Sequence, residues 1–143
     1  MILETRTLPV SPIGMLQEEM WPDQWKILVV CMLHNQTSRK QVDKVYKKLF
    51  SLYPSAIEMS RACVDTVAST LRPLGLYNRR SKSLVRFSKE YLEKDWTKPS
   101  DLHGCGKYAD DCYQVFCKLD WFDVHPTDHA LNDYVNWARR THA

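Results

Sequence analysis

The chain has 143 residues with 20 basic and 17 acidic side chains, a formal net charge of +3, and is 44% hydrophobic and 26% charged. That balance excludes a disordered or collagen-like polymer, and the length suffices to bury about 68–70% of the unfolded surface without a disulfide or metal staple. The small positive charge is compatible with a polyanionic partner but does not require one, because a local basic face matters more than the total.

Residues 1–20 mix prolines and polar groups ("TLPVSPIGMLQEEM") and are expected to form a partly extended arm with a short helical turn. Pro22-Asp23 then opens "DQWKILVVCMLHNQ", which is apolar nearly all round, the mark of a fully buried central helix. Val42, Val45, Tyr46, Leu49 and Phe50 follow the i, i+3, i+4, i+7, i+8 pattern of one amphipathic helix, with Lys40, Lys44, Lys47 and Lys48 on its other face. Pro54-Ser55 starts a short helix, and another over Cys63–Leu71 is stopped by Pro73 and Gly75. Leu84, Phe87, Tyr91 and Leu92 define a helix with a basic start at Arg79, Arg80 and Lys82. Tyr108, Cys112, Val115, Phe116 and Leu119 mark a further one, and Leu131, Tyr134, Val135 and Ala138 a last one after Pro126. No stretch alternates like a strand and nothing repeats, so the expected fold is all-α, a compact bundle of short helices, as one domain over residues 1–143.

The longest apolar run, Ile27–Leu33, is far short of the ~20 residues that span a bilayer. No basic-then-apolar secretory pattern opens the chain, so an intracellular protein without membrane association is expected. The five cysteines, Cys31, Cys63, Cys105, Cys112 and Cys117, fall in apolar helical stretches and in odd number, which favours reduced, buried thiols over a disulfide framework. Cys105, Cys112 and Cys117 cluster, but without C-x-x-C spacing or a following fourth cysteine. His125 and His129 stand at i, i+4 without a third ligand at useful spacing. No metal and no cofactor is expected.

Two of the chain's four glycines, Gly104 and Gly106, meet in "LHGCGKYADD". Leu-x-Gly-x-Gly between two short helices fits a helix-hairpin-helix turn, where glycines bring backbone N–H groups close to a bulky anion such as a DNA phosphate. The positive end of the next helix and Lys107 add to that attraction. A glycine cap joining two packed helices fits the same residues, and the motif alone leaves both readings open.

About twenty residues further on, "VHPTDHALND" sets Asp128 at the start of the next helix. With that aspartate at that interval, the chain resembles the helix-hairpin-helix DNA glycosylases of the endonuclease III-like superfamily. "WPDQWKILVVCMLHNQTS", "LRPLGLYNRRSKSL" and "LHGCGKYADDCYQVFCKLDWFDVHPTDHALNDYVNW" are similar to one branch of it, the mismatch-specific thymine/uracil glycosylase domain of the methyl-CpG-binding-domain protein and its relatives. The likeness runs from about residue 8 to residue 140.

The resemblance implies a monofunctional enzyme of base excision repair, a monomer working in the nucleus if the source is eukaryotic. It would flip thymine or uracil mispaired with guanine out of double-stranded DNA and leave an abasic site. Asp128 would be the catalytic carboxylate, stabilising positive charge on the sugar and orienting water. Gln17 and Tyr108 would line the base pocket, and Gln36 and Leu76 would fill the gap in the stack. Gly104, Gly106, Lys107 and His129 would hold DNA phosphates. Bifunctional relatives carry a lysine where this chain has Tyr108, so no Schiff-base route is expected there. Relatives carry Arg at the position of Gln36 and Lys at that of Ala130. Blander roles fit several of these residues equally: a helix cap for Asp128 (with Thr127 able to serve instead), core packing for Tyr108 and Leu76, a solvated arm position for Gln17. A glycosylase for another modified pyrimidine, a non-catalytic DNA-binding module and a helical protein-interaction domain are the competing functions.

Overall fold

The computed structural model describes residues 6–142. The first five residues of the expected arm, and Ala143, lie outside the described residues. Among the described residues the regular structure is all helical, with no strand.

The chain runs without regular structure over residues 6–15, bending at Pro12–Gly14, and enters α1 (Leu16–Met20), then α2 (Gln24–Leu33). Asp23 caps α2 by accepting from the Lys26 amide at 3.0 Å. Seven of the ten residues of α2, including Ile27, Leu28, Val29 and Val30, are buried, which is why its sequence shows no polar stripe. α2 packs against α1, α7 and α8, so it is the post around which the other helices stand. The indole N–H of Trp25, sealed in that contact, donates to Ser88 Oγ on α7 at 3.1 Å.

The single helix expected over residues 42–50 is two. α3 (Arg39–Asp43) closes with i→i+3 bonds from Lys44 and Val45, and α4 (Tyr46–Leu52) restarts from Val45. Val45 leaves helical geometry at φ −123° and stays buried with Val42, Leu49 and Phe50. The apolar pattern survived the break because the i→i+3 turn keeps both valines facing the core. α5 (Ala56–Ser60) and α6 (Val64–Leu71) pack on the long α7 (Tyr77–Glu93). Leu92, expected on the buried face of α7, lies in its last turn and is exposed, as is Cys63 at the cap of α6.

A 3₁₀ turn at Pro99–Asp101 leads into the hairpin and α8 (Lys107–Cys112), which widens into a π-helical turn over Tyr113–Cys117. The Lys118 amide closes that turn on Tyr113 O at 3.0 Å, and Leu119 then reverses the chain in a left-handed conformation at φ 55°. Leu119 is buried, as its apolar register suggested, but lies beyond the helix. α9 (His129–Thr141) completes the bundle, with Phe116 and Tyr134 in ring contact at 5.0 Å. Tyr134 also donates to Pro9 O at 2.7 Å and so holds the arm on the core.

Leu28, fully buried in α2, has no route to solvent on either side. Leu28→Ala is expected to cost about 2–5 kcal/mol of stability, read as a lowered midpoint in urea unfolding.

Candidate functional site

One cleft of about 910 Å³ opens where four segments meet: the arm and α1, the C-terminal end of α2, the hairpin with α8, and the amino end of α9. Gln17, Gln36, Gly104, Gly106, Lys107, Tyr108 and Asp128 all line it. Leu76 lies in a smaller neighbouring cavity of about 230 Å³, which shares Gln36 and Gly104 with the first. His129 stands outside both, its side chain 94% exposed and 3.4 Å from Asp133.

The two glycines differ in what they need. Gly104 sits at φ +82°, and a Cβ there would stand 2.7 Å from the Met32 methyl of α2. The hairpin therefore crosses close to the end of α2, where a side chain would have to displace the Met32 methyl and adopt a positive φ. Gly106 has an extended φ of −136°, and a Cβ there would meet only open space. The backbone amides of Gly106 and Lys107 have no acceptor among the described residues. Lys107 does not stand free: its ammonium bonds Asp111 at 2.6 Å and the carbonyl of His125 at 2.9 Å, tying α8 to the approach of α9.

Gln17 is not a solvated arm residue. It is 1% exposed, and its amide nitrogen donates to the Tyr108 hydroxyl at 2.8 Å, with the sulfurs of Cys31 and Cys112 at 3.6 and 3.8 Å. Burial, then the neighbouring thiols of Cys112 and Cys31 and the charge of Asp128, push the Tyr108 hydroxyl up, so it remains a protonated donor. Burial likewise pushes the Cys105 thiol up to about 12. The floor of the cleft is thus polar but uncharged.

Asp128 is itself the cap of α9, accepting from the Leu131 amide at 2.9 Å through Oδ2; Thr127 does not take that role. Its carboxylate is exposed to the cleft rather than buried. Gln36 and Leu76 both hold left-handed backbone, at φ 60° and 47°, and both are exposed, Leu76 at 59%. A leucine that packs a helix end would be covered; this one projects from the turn before α7. Sequence reasoning missed His34, which caps the end of α2 and lines the same cleft. Its only sequence signal was a polar residue closing an otherwise apolar run. Among the described residues no group of three His, Cys, Asp or Glu side chains is placed to hold a metal ion, and no helix is long and apolar enough to cross a membrane.

The glycine geometry separates two substitutions. Gly104→Ala is expected to destabilise the fold by about 1–2 kcal/mol, because alanine resists positive φ. Gly106→Ala, with ordinary φ and open space, is expected to leave urea stability unchanged or to raise it by up to about 1 kcal/mol.

Comparison with known proteins meets this geometry independently. Residues 29–139 match the model of the HhH-GPD superfamily base excision DNA repair proteins. The chain is 43% identical over 131 residues to the methyl-CpG-binding domain protein 4-like protein of Arabidopsis thaliana, covering 92% of this chain and 29% of that protein. It is 30% identical over 94 residues to the thymine/uracil-DNA glycosylase of Pyrobaculum aerophilum, covering 61% of this chain and 41% of the other. It is 25% identical over 125 residues to endonuclease III of Thermotoga maritima, covering 82% and 59%. The chain therefore spans between about a third and three-fifths of the length of these relatives. An all-helical chain whose family match covers α7, the hairpin and most of α9 belongs to the HhH-GPD superfamily of base excision DNA repair proteins.

Proposed function

We propose that this chain is a monofunctional DNA glycosylase that excises thymine or uracil paired with guanine in double-stranded DNA. It leaves an abasic site, and acts as a single domain and as a monomer, in the nucleus where the source is eukaryotic. The observation that carries the proposal is the convergence of Gln17, Tyr108, Asp128, Gln36 and the hairpin glycines on one cleft. The printed names of two relatives, a thymine/uracil-DNA glycosylase and a methyl-CpG-binding domain protein 4-like protein, support the substrate class.

The target bond lies inside the duplex, so the nucleotide must swing out, at a cost of a few kcal/mol that a mismatch lowers. The partnerless amides at Gly106 and Lys107 suit a phosphate of the target strand. Lys107 supports that contact by fixing α8 against the approach to α9 rather than as a free cation. The exposed Gln36 and Leu76, held out by left-handed turns, suit the space the base vacates. His129 lies at the outer edge of α9, where it suits a flanking phosphate.

In the pocket the Tyr108 oxygen accepts from Gln17, which leaves the phenolic proton free to donate. The Gln17 carbonyl oxygen has no partner within the described protein, and Gln17 lies in the cleft wall, where that oxygen suits a donor on the base. A donor beside an acceptor matches the carbonyl and N3–H of uracil or thymine. Cytosine, with an acceptor at N3 and an amino group at C4, mismatches both, and unpaired buried polar groups discriminate strongly.

Cleavage of the C1′–N1 bond sends its electron pair onto the base and builds positive charge on the sugar. The Asp128 carboxylate, held through one oxygen by the Leu131 amide, has its other oxygen available to that charge and to an incoming water. Tyr108 supplies no amine for a Schiff base. The adjacent Lys107 points about 100° round the helix and is engaged elsewhere.

In single-turnover assays the protein is expected to release base from T·G and U·G duplexes and not from T·A. Asp128→Asn is expected to slow release at least about a hundredfold, whereas equal release by the mutant would remove the carboxylate from its role. Product strands should stay whole until treated with alkali, and borohydride should trap no enzyme on DNA; a trapped adduct would overturn the hydrolytic route. Gly106→Ala, neutral for folding, should weaken duplex binding.

A further inference from the structure

His34 ends α2, one turn beyond Cys31 on the same helix face, and opens into the cleft that holds Asp128. Its Nδ1 lies 2.9 Å from the carbonyl of Val30, an acceptor without a proton, so Nδ1 carries the ring hydrogen and donates. That leaves a lone pair on Nε2. Nε2 has no partner within the described protein, and no sealed side-chain polar atom there lacks one, so Nε2 meets the solvent of the cleft. The backbone bond that caps the helix therefore also fixes the tautomer and aims a proton acceptor at the site. A leucine of similar size would end the helix without supplying that lone pair.

Resting on the glycosylase reading above, we propose that His34 Nε2 is a second proton acceptor for hydrolysis, sharing the attacking water with Asp128. As the water oxygen bonds to C1′, its O–H bond breaks and the proton passes to Nε2. The C1′–N1 bond breaks in the same event, and its electron pair leaves on the pyrimidine, which takes a proton from solvent. His34 then returns its proton to solvent. Asp128 remains ionised and faces the charge on the sugar.

The ring is neutral in the resting site. Burial holds the imidazole below its ordinary 6.5, with the Arg39 guanidinium of α3 acting the same way; the Val30 carbonyl, Asp128 at the head of α9 and Asp43 of α3 oppose this. Lys107 of α8, also in the cleft, is paired with Asp111. The acceptor form is thus present at neutral pH and is lost as pH falls through the lowered value.

The test is the single-turnover rate of uracil release from a U·G duplex between pH 5 and 8, for wild type, His34→Gln and His34→Leu, with folding checked by circular dichroism. The wild-type rate should fall as pH drops below 6.5. His34→Leu should be about 10- to 100-fold slower at pH 7.5 with duplex affinity unchanged. His34→Gln can accept a hydrogen bond from the water but not its proton; it should be slowed like His34→Leu at pH 7.5 and lose the acidic fall. If His34→Leu fails to fold, the profile of His34→Gln decides alone. A His34→Leu rate equal to wild type, or the same acidic fall in His34→Gln, overturns the proposal while leaving the glycosylase reading intact. Absence of uracil release by wild type overturns that reading itself, and this one with it.

Discussion

A buried amide must find acceptors, and the cleft takes its shape from where Gln17 finds them. The bond from Gln17 to Tyr108 joins α1 to α8 across 91 residues of sequence, with α2 beside both through the Cys31 sulfur. Its net free energy is modest, about 1 kcal/mol, but leaving Gln17 unpaired in that position costs more than the bond yields. The arm therefore cannot slide along α2, nor α8 rotate, without stranding a polar group. The same bond directs the Gln17 amide inward, and both of its partners line the cleft, so the contact that fixes the fold also forms part of the cleft wall.

Backbone strain sorts by location. Gln36, Leu76 and Leu119 all occupy left-handed backbone that costs a non-glycine residue about 1–2 kcal/mol. Leu119 recovers that cost by burial, where the chain turns back after the π-helical segment. Gln36 and Leu76 are exposed and recover nothing from packing in the free protein. They flank Gly104, and the three line the same small cavity beside the cleft. Gln36 and Leu76 thus each present an exposed side chain on left-handed backbone at the rim of the cleft.

Much of the frame was legible in the residues. The apolar run from Ile27 to Leu33 located α2, Pro73 and Gly75 marked the end of α6, and the glycine pair with Asp128 pointed to the hairpin and the helix that follows it. What escaped had physical reasons. A break at Lys44–Val45 leaves i, i+3 and i, i+4 patterns intact, so periodicity does not distinguish one helix from two. The π-helical turn at Tyr113–Cys117 uses i→i+5 bonds that carry no compositional signature. Gln17 was placed beside Tyr108 only by the family resemblance, since local pattern left it equally an arm residue, and His34 looked like a helix end because the other walls of its cleft come from distant segments. Local rules find elements; groups drawn from distant segments become visible only once those elements pack.

Whether the cleft receives a nucleotide is answered most directly by a crystal structure of the protein on a duplex carrying an uncleavable 2′-fluorinated deoxyuridine opposite guanine. The expected result is an extrahelical uracil with its Watson–Crick edge about 2.6–3.2 Å from Gln17 and Tyr108, Asp128 beside C1′, and a phosphate on the Gly104–Lys107 hairpin. A uracil still stacked in the duplex, or DNA lying on a face away from the hairpin, would contradict it.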